Sequence, residues 1–164
     1  MFKSMLAKSY VFKGYNASAN GDNLLALGYY EKSLQAAKFI GDKETVAQAL
    51  YNKGTVYTLL GRYSEAVKSC TESLTMLEQL GIKFGVNSCL GQIGIIYKRQ
   101  ENYDKALEYY LKALAIDSVL DAEEGMSSRL NNIAVVYVRQ EKYDLALEYY
   151  KKSIELSEIM QDHQ

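Results

Sequence analysis

The sequence predicts an all-α protein built as an array of helix hairpins, and three observations carry that prediction. The 164 residues contain no proline and only 11 glycines, while Ala, Leu, Glu, Lys and Tyr are abundant, a composition that favours helix over strand along nearly the whole chain. The sequence also matches itself at an offset of 40 residues: YKRQENYDKALEYY from Tyr97 agrees with YVRQEKYDLALEYY from Tyr137 at 11 of 14 positions. Finally, each copy is interrupted in its middle and at its end by a short polar or glycine-containing step, which leaves two helical stretches per copy.

Four copies fit, at about residues 3–42, 43–82, 83–122 and 123–162, as a single repeat array over 1–164. Leu130 aligns with Leu90 and Leu50, Ala146 with Ala106, Ala66 and Ala26, and Tyr143 with Tyr103 and Tyr63. Inside the copies the breaks fall at Gly61-Arg62-Tyr63-Ser64, Glu101-Asn102-Tyr103-Asp104 and Glu141-Lys142-Tyr143-Asp144, where Ser64, Asp104 and Asp144 read as N-caps of a second helix. Between copies stand Gly41-Asp42, Gly81-Ile82 and Asp121-Ala122, whose glycines suit the left-handed conformation that ends a helix. Eight helices follow, paired as hairpins. Leu90, Gly94 and Tyr97 stand at i, i+4 and i+7 on one face, as do Leu50, Gly54 and Tyr57, and the glycine admits a second helix at close range. The Tyr-Tyr pairs at 29–30, 109–110 and 149–150 each place one ring on the alanine-bearing core face, which reads as packing rather than as a ligand platform.

Composition excludes several classes of function. A net charge of −1, from 19 basic and 20 acidic side chains, gives no bulk attraction to nucleic acid or to an anionic membrane. The N-terminal stretch is broken by Lys3, Lys8 and Lys13, so it carries no signal-peptide core, and no run approaches membrane-spanning length. Two cysteines do not make a disulfide scaffold, and the cytoplasm is the expected compartment. No enzyme is expected. His163 stands at the extreme C-terminus, no histidine can activate Cys70 or Cys89, and Gly91 and Gly94 lie inside a helical pattern rather than in a phosphate loop. No cofactor or metal is expected either.

The repeated residues resemble the tetratricopeptide repeat. Leu90, Gly94, Tyr97, Ala106, Tyr110 and Ala113 meet its pattern of large apolar, small, Tyr, Ala, aromatic and small residues; Leu130, Ala134, Tyr137, Ala146, Tyr150 and Ser153 repeat it. Cys70 replaces the aromatic in the second copy, and Ala17 and Asn23 replace two tyrosines in the first. The 40-residue spacing and the missing proline resemble the extended variety of the repeat. That resemblance implies a right-handed α-solenoid of four helix-turn-helix repeats, with the first helix of each repeat lining a concave groove that binds a peptide segment of a partner protein.

On the groove-facing stripe this places Gln48, Asn52 and Thr55, then Ser88, Gln92 and Arg99, then Ser128, Asn132 and Arg139, with Phe12 and Tyr15 at the first-repeat end. Asn52, Gln92 and Asn132 form a ladder of amides, each able to accept from and donate to the backbone of an extended peptide. Arg99 and Arg139 suit capture of carboxylates, although pairing with Glu101 and Glu141 is the competing use. Val11, Tyr51 and Gly91 stand where the family's chaperone-tail clamp has its leading lysine, which argues against that ligand. A second reading comes from the array's ends, since a repeat leaves an apolar side open and only a partial polar conversion, Leu111 to Lys151 and Ala115 to Glu155, marks the last helix. It makes the chain a self-associating scaffold, a homo-oligomer, or a repeat fragment of a larger signalling protein.

Overall fold

The computed structural model describes the backbone of residues 2–162 and the side chains of residues 3–159. His163 lies outside the described residues. Eight helices and no strand occur among them: α1 (Phe2–Ala19), α2 (Asn23–Ile40), α3 (Lys43–Leu59), α4 (Tyr63–Gln79), α5 (Lys83–Arg99), α6 (Tyr103–Val119), α7 (Glu123–Arg139) and α8 (Tyr143–Asp162). None is long and apolar enough to cross a membrane.

One turn geometry joins all of them. Gly41 ends α2 at φ 72°, donating to the Lys38 carbonyl, while the next amide, Asp42 N–H, reaches back 3.0 Å to the carbonyl of Ala37. This pair of bonds satisfies carbonyls that the helix end would otherwise leave open. The same long backbone bond recurs from Arg62 to Tyr57, Ile82 to Leu77, Asn102 to Tyr97, Ala122 to Asp117 and Lys142 to Tyr137, all at 2.8–3.0 Å. The left-handed residue therefore returns every 20 positions, as glycine at 21, 41, 61 and 81 but as Glu101, Asp121 and Glu141 thereafter.

That geometry corrects the expected caps. α4, α6 and α8 begin at Tyr63, Tyr103 and Tyr143, so Ser64, Asp104 and Asp144 sit within the first turn rather than ahead of it. The backbone bond made by residue 62, 102 or 142 fixes the entry two residues earlier than the side chains predict. Asn102 is the cap of α6 and accepts from Lys105 N–H at 3.3 Å, while Asp104 and Asp144 complement the positive helix start. Asp42 caps α3, accepting from the backbone N–H and the hydroxyl of Thr45 at 3.0 and 2.8 Å.

The chain divides into two compact units, residues 1–89 and 90–164. In the N-terminal unit α1 with α2 and α3 with α4 pack as hairpins around Ala7, Val11, Ala26, Tyr30, Leu34, Leu50 and Val56. Ser33 Oγ donates to the Ala7 carbonyl at 2.8 Å, and 40 residues later Ser73 Oγ donates to the Ala47 carbonyl at 2.7 Å, tying the two helices of each hairpin. In the C-terminal unit α7 pairs with α8, and Ala106, Tyr110, Ile133 and Val136 form the core with Ile95 and Tyr97 of α5. A Cβ on Gly94 would stand 2.6 Å from the Tyr110 ring, so the absent side chain is what admits the buried aromatic. Of the tyrosine pairs, Tyr30 and Tyr110 are buried, and Tyr29, Tyr109 and Tyr149 lie against Tyr10, Tyr97 and Tyr137 at ring separations of 5.4–6.3 Å. Cys70 and Cys89 are free, fully buried thiols, and burial pushes the Cys70 pKa up to about 12.

Candidate functional site

In the N-terminal unit, helical spacing turns Lys8, Phe12 and Tyr15 of α1 and Glu44, Gln48 and Asn52 of α3 toward one depression of about 550 Å³. Phe12 and Tyr15 are 65% and 62% exposed, large rings that contribute little to the core. A second hollow of about 290 Å³ shares Glu44, Gln48 and Asn52 and continues over Tyr51, Leu77, Ile82, Gly85 and Ser88. Among the described residues, Gln48 and Asn52 make no hydrogen bond, so both amides face the depressions with donors and acceptors open. Ser88 Oγ is turned back onto the Phe84 carbonyl at 3.0 Å. Thr55 bonds the Tyr51 carbonyl at 3.2 Å and lines neither hollow.

The corresponding stripe of the C-terminal unit is arranged differently. Gln92 is buried, whereas Ser128, Arg99 and Arg139 are exposed. Asn132 is half-buried and engaged at both ends of its amide: its oxygen accepts from Lys98 Nζ at 2.8 Å and its nitrogen donates to the Ser128 carbonyl at 3.1 Å. Burial lowers the Lys98 pKa, and the positive charges of Arg99 and Arg139 lower it further. Neither arginine forms an ion pair among the described residues, so the pairing with Glu101 and Glu141 is not made. No group of three or more metal-ligating side chains occurs among the described residues.

The model of the tetratricopeptide repeat matches residues 5–79 and 86–159. The chain belongs to the tetratricopeptide repeat family. No curated protein matches it. Among solved structures, BtubC from P. vanneervenii superposes with a TM-score of 0.88 at 21% identity, over 97% of this chain and 66% of that one. Aspartyl phosphate phosphatase F from Bacillus subtilis gives 0.91 at 17%, over 98% and 42%, and the Rap conjugation gene regulator of plasmid pLS20, solved with the Phr* peptide, gives 0.78 at 19%, over 89% and 41%. At these identities the likeness is one of fold, and the chain spans 41–66% of these proteins' lengths.

In this tetratricopeptide protein the expected site residues thus fall into two groups. Phe12, Tyr15, Gln48, Asn52 and Ser88 line the hollows of the N-terminal unit, with Thr55 on the same helix outside them, and Ser128, Gln92, Asn132, Arg99 and Arg139 belong to the C-terminal one, where Asn132 is bonded to Lys98 and to the Ser128 carbonyl. Two residues escaped the sequence reading. Glu44 lies one turn before Gln48 on the same stripe, and Lys98 is the neighbour of Arg99; extending the stripe by a turn, or widening it by a residue, finds both.

Proposed function

We propose that the chain is a non-enzymatic protein-interaction module that takes a peptide segment of a partner protein across α1, α3 and the start of α5. The observation that carries this reading is the pairing of two exposed rings, Phe12 and Tyr15, with two unengaged amides, Gln48 and Asn52, in adjoining hollows. Rings supply burial at low entropic cost, and the amides bond a peptide backbone without regard to its side chains. A tetratricopeptide-fold structure solved with a peptide, the pLS20 regulator, supports the same class of role. The cytoplasm suits a chain whose two thiols are free and buried.

The test is selection of displayed twelve-residue peptides on the chain, followed by fluorescence anisotropy with the enriched sequences. Phe12→Ala combined with Asn52→Ala should weaken binding by about tenfold or more, while Lys112→Ala, at an exposed position of α6 that lines neither hollow, should leave it unchanged. Equal affinity for the double variant and the parent would overturn the reading.

A specific observation also favours self-association. Tyr143, Leu147 and Ile154 of α8 are each more than half exposed, whereas their equivalents 40 residues earlier, Tyr103, Leu107 and Leu114, pack against the core of the C-terminal unit. Light scattering at several concentrations decides it: a dimer that Leu147→Asp dissolves supports this reading, and a monomer throughout removes it.

A further inference from the structure

We infer that the C-terminal ends of α5 and α7 form a site for a single oxyanion, a carboxylate or phosphate group carried by the partner, with Lys98 as its central donor and Arg99 and Arg139 beside it. The inference rests on the reading of the chain as an interaction module and names the chemistry that one end of its surface selects.

The first observation is that this lysine is not required by the fold. Positions 18, 58 and 138 of the repeat hold Ser18, Thr58 and Val138, and the neighbouring positions hold Ala19 and Leu59 before Arg99 and Arg139 appear. The other three hairpins form without a cation at the position of Lys98. The second is that Lys98 is half-buried, bonded to Asn132 at 2.8 Å and only 5.9 Å from the centre of the buried Tyr110 ring. Desolvating an ammonium is costly, and a neutral amide and a ring face recover part of the cost. The third is the sign of its surroundings. Arg99 stands with Lys98 in the last turn of α5 and Arg139 in the last turn of α7, their charges lower the Lys98 pKa beyond the effect of burial, and neither arginine has an acidic partner among the described residues. The helix dipole explains a cation in a last turn, but not a half-buried one accompanied by two more in the last turns of the same two helices. An oxyanion satisfies all three, accepting from the ammonium and from the forked guanidinium donors.

The test uses sodium succinate and phenyl phosphate as probes, at fixed ionic strength in chloride. The pH midpoint of Lys98 is followed by the carbon NMR signal of its Cε, assigned by its loss in Lys98→Arg. A saturable rise of about one pH unit with either anion is expected, because a bound negative charge favours the ammonium. Response to phenyl phosphate alone identifies a phosphorylated segment as the source; response to succinate identifies an acidic one. The double variant Arg99→Ala/Arg139→Ala, altered only at exposed positions, should keep its helical circular dichroism, raise the midpoint in chloride and lose the anion response. A midpoint that neither anion moves, or a response that survives the double variant intact, overturns the site. Phe12→Ala/Asn52→Ala must leave the titration unchanged. Peptide capture without an anion response discards this inference alone, and an anion response without peptide capture discards the module reading alone.

Discussion

The two units solve the same packing problem with opposite chemistry. In the N-terminal unit Leu77 of α4 packs with Cys89, Ala47 and Tyr51, and Gly85 makes room for the leucine, whose methyl groups would stand 2.9–3.0 Å from an added Cβ. Forty residues on, in the C-terminal unit, Leu77, Cys89, Tyr51 and Gly85 give way to Asp117, Arg129, Gly91 and Gly125. Asp117 is 1% exposed, and Arg129 Nε faces its Oδ2 at 3.5 Å in a largely buried ion pair. A Cβ on Gly125 would collide with the Asp117 carboxylate, and one on Gly91 would stand 2.6 Å from the guanidinium. The C-terminal unit has thus exchanged an apolar plug for a charge pair and carries a glycine on either side of it. The lesson is that the hairpin geometry tolerates either filling, provided the whole set of positions changes together.

The largest expected effect breaks that set. Asp117→Ala takes the carboxylate from a largely buried guanidinium, 15% exposed, and should cost about 3 kcal/mol in urea denaturation followed by circular dichroism. Asp117→Leu with Arg129→Met, which imports the apolar solution, should recover most of the loss; a single variant as stable as the parent would show that the pair is not buried as described. A smaller effect separates the units at their helix starts. Asp42 caps α3, whereas its equivalent before α7 is Ala122, which has no side-chain cap. Asp42→Ala should lose about 1 kcal/mol and Ala122→Asp should gain up to about as much. The backbone N–H of Thr45 holds the Asp42 carboxyl below its ordinary value of 3.8. The cap therefore contributes fully above that value and its contribution is lost as pH falls through the lower folded one, so the Asp42→Ala deficit should close in acid. A deficit independent of pH would contradict the assigned bond. The smallest effect lies in the turns, glycine in one unit and acidic in the other. Glu101→Gly and Glu141→Gly should each raise the melting temperature slightly, by about 0.5 kcal/mol of stability, and Gly61→Glu should lower it by about 1 kcal/mol.

The helices and their spacing were legible because a 40-residue self-match and an apolar face are both properties of the chain alone. Leu90, Gly94 and Tyr97 announce a packed face in any context, and Gly41 and Gly81 announce left-handed turns. Glu101, Asp121 and Glu141 in the same conformation gave no such signal, because an acidic residue in a polar break reads as ordinary surface. The candidate site was less legible for a related reason. Periodicity fixes the angle at which a side chain leaves its helix, and so placed Asn52 and Asn132 on equivalent stripes. It does not say what the next helix presents. Asn52 meets open hollows, Asn132 meets the ammonium of Lys98, and Gln92 is buried. Asp117 and Arg129 were invisible because charged residues in a helical pattern are assigned to solvent until a partner is known.

The left-handed residue at every twentieth position makes the junction within a hairpin and the junction between hairpins the same joint. Twenty residues are therefore the interchangeable length of this chain, although forty are needed to restore which helix follows which. A genetic splice made at Gly61 meets the same local backbone as one made at Gly41 or Glu101. The chain can be lengthened, shortened or recombined at any of these joints without a new loop being invented, and the burden of compatibility falls entirely on the helix faces that the splice brings together.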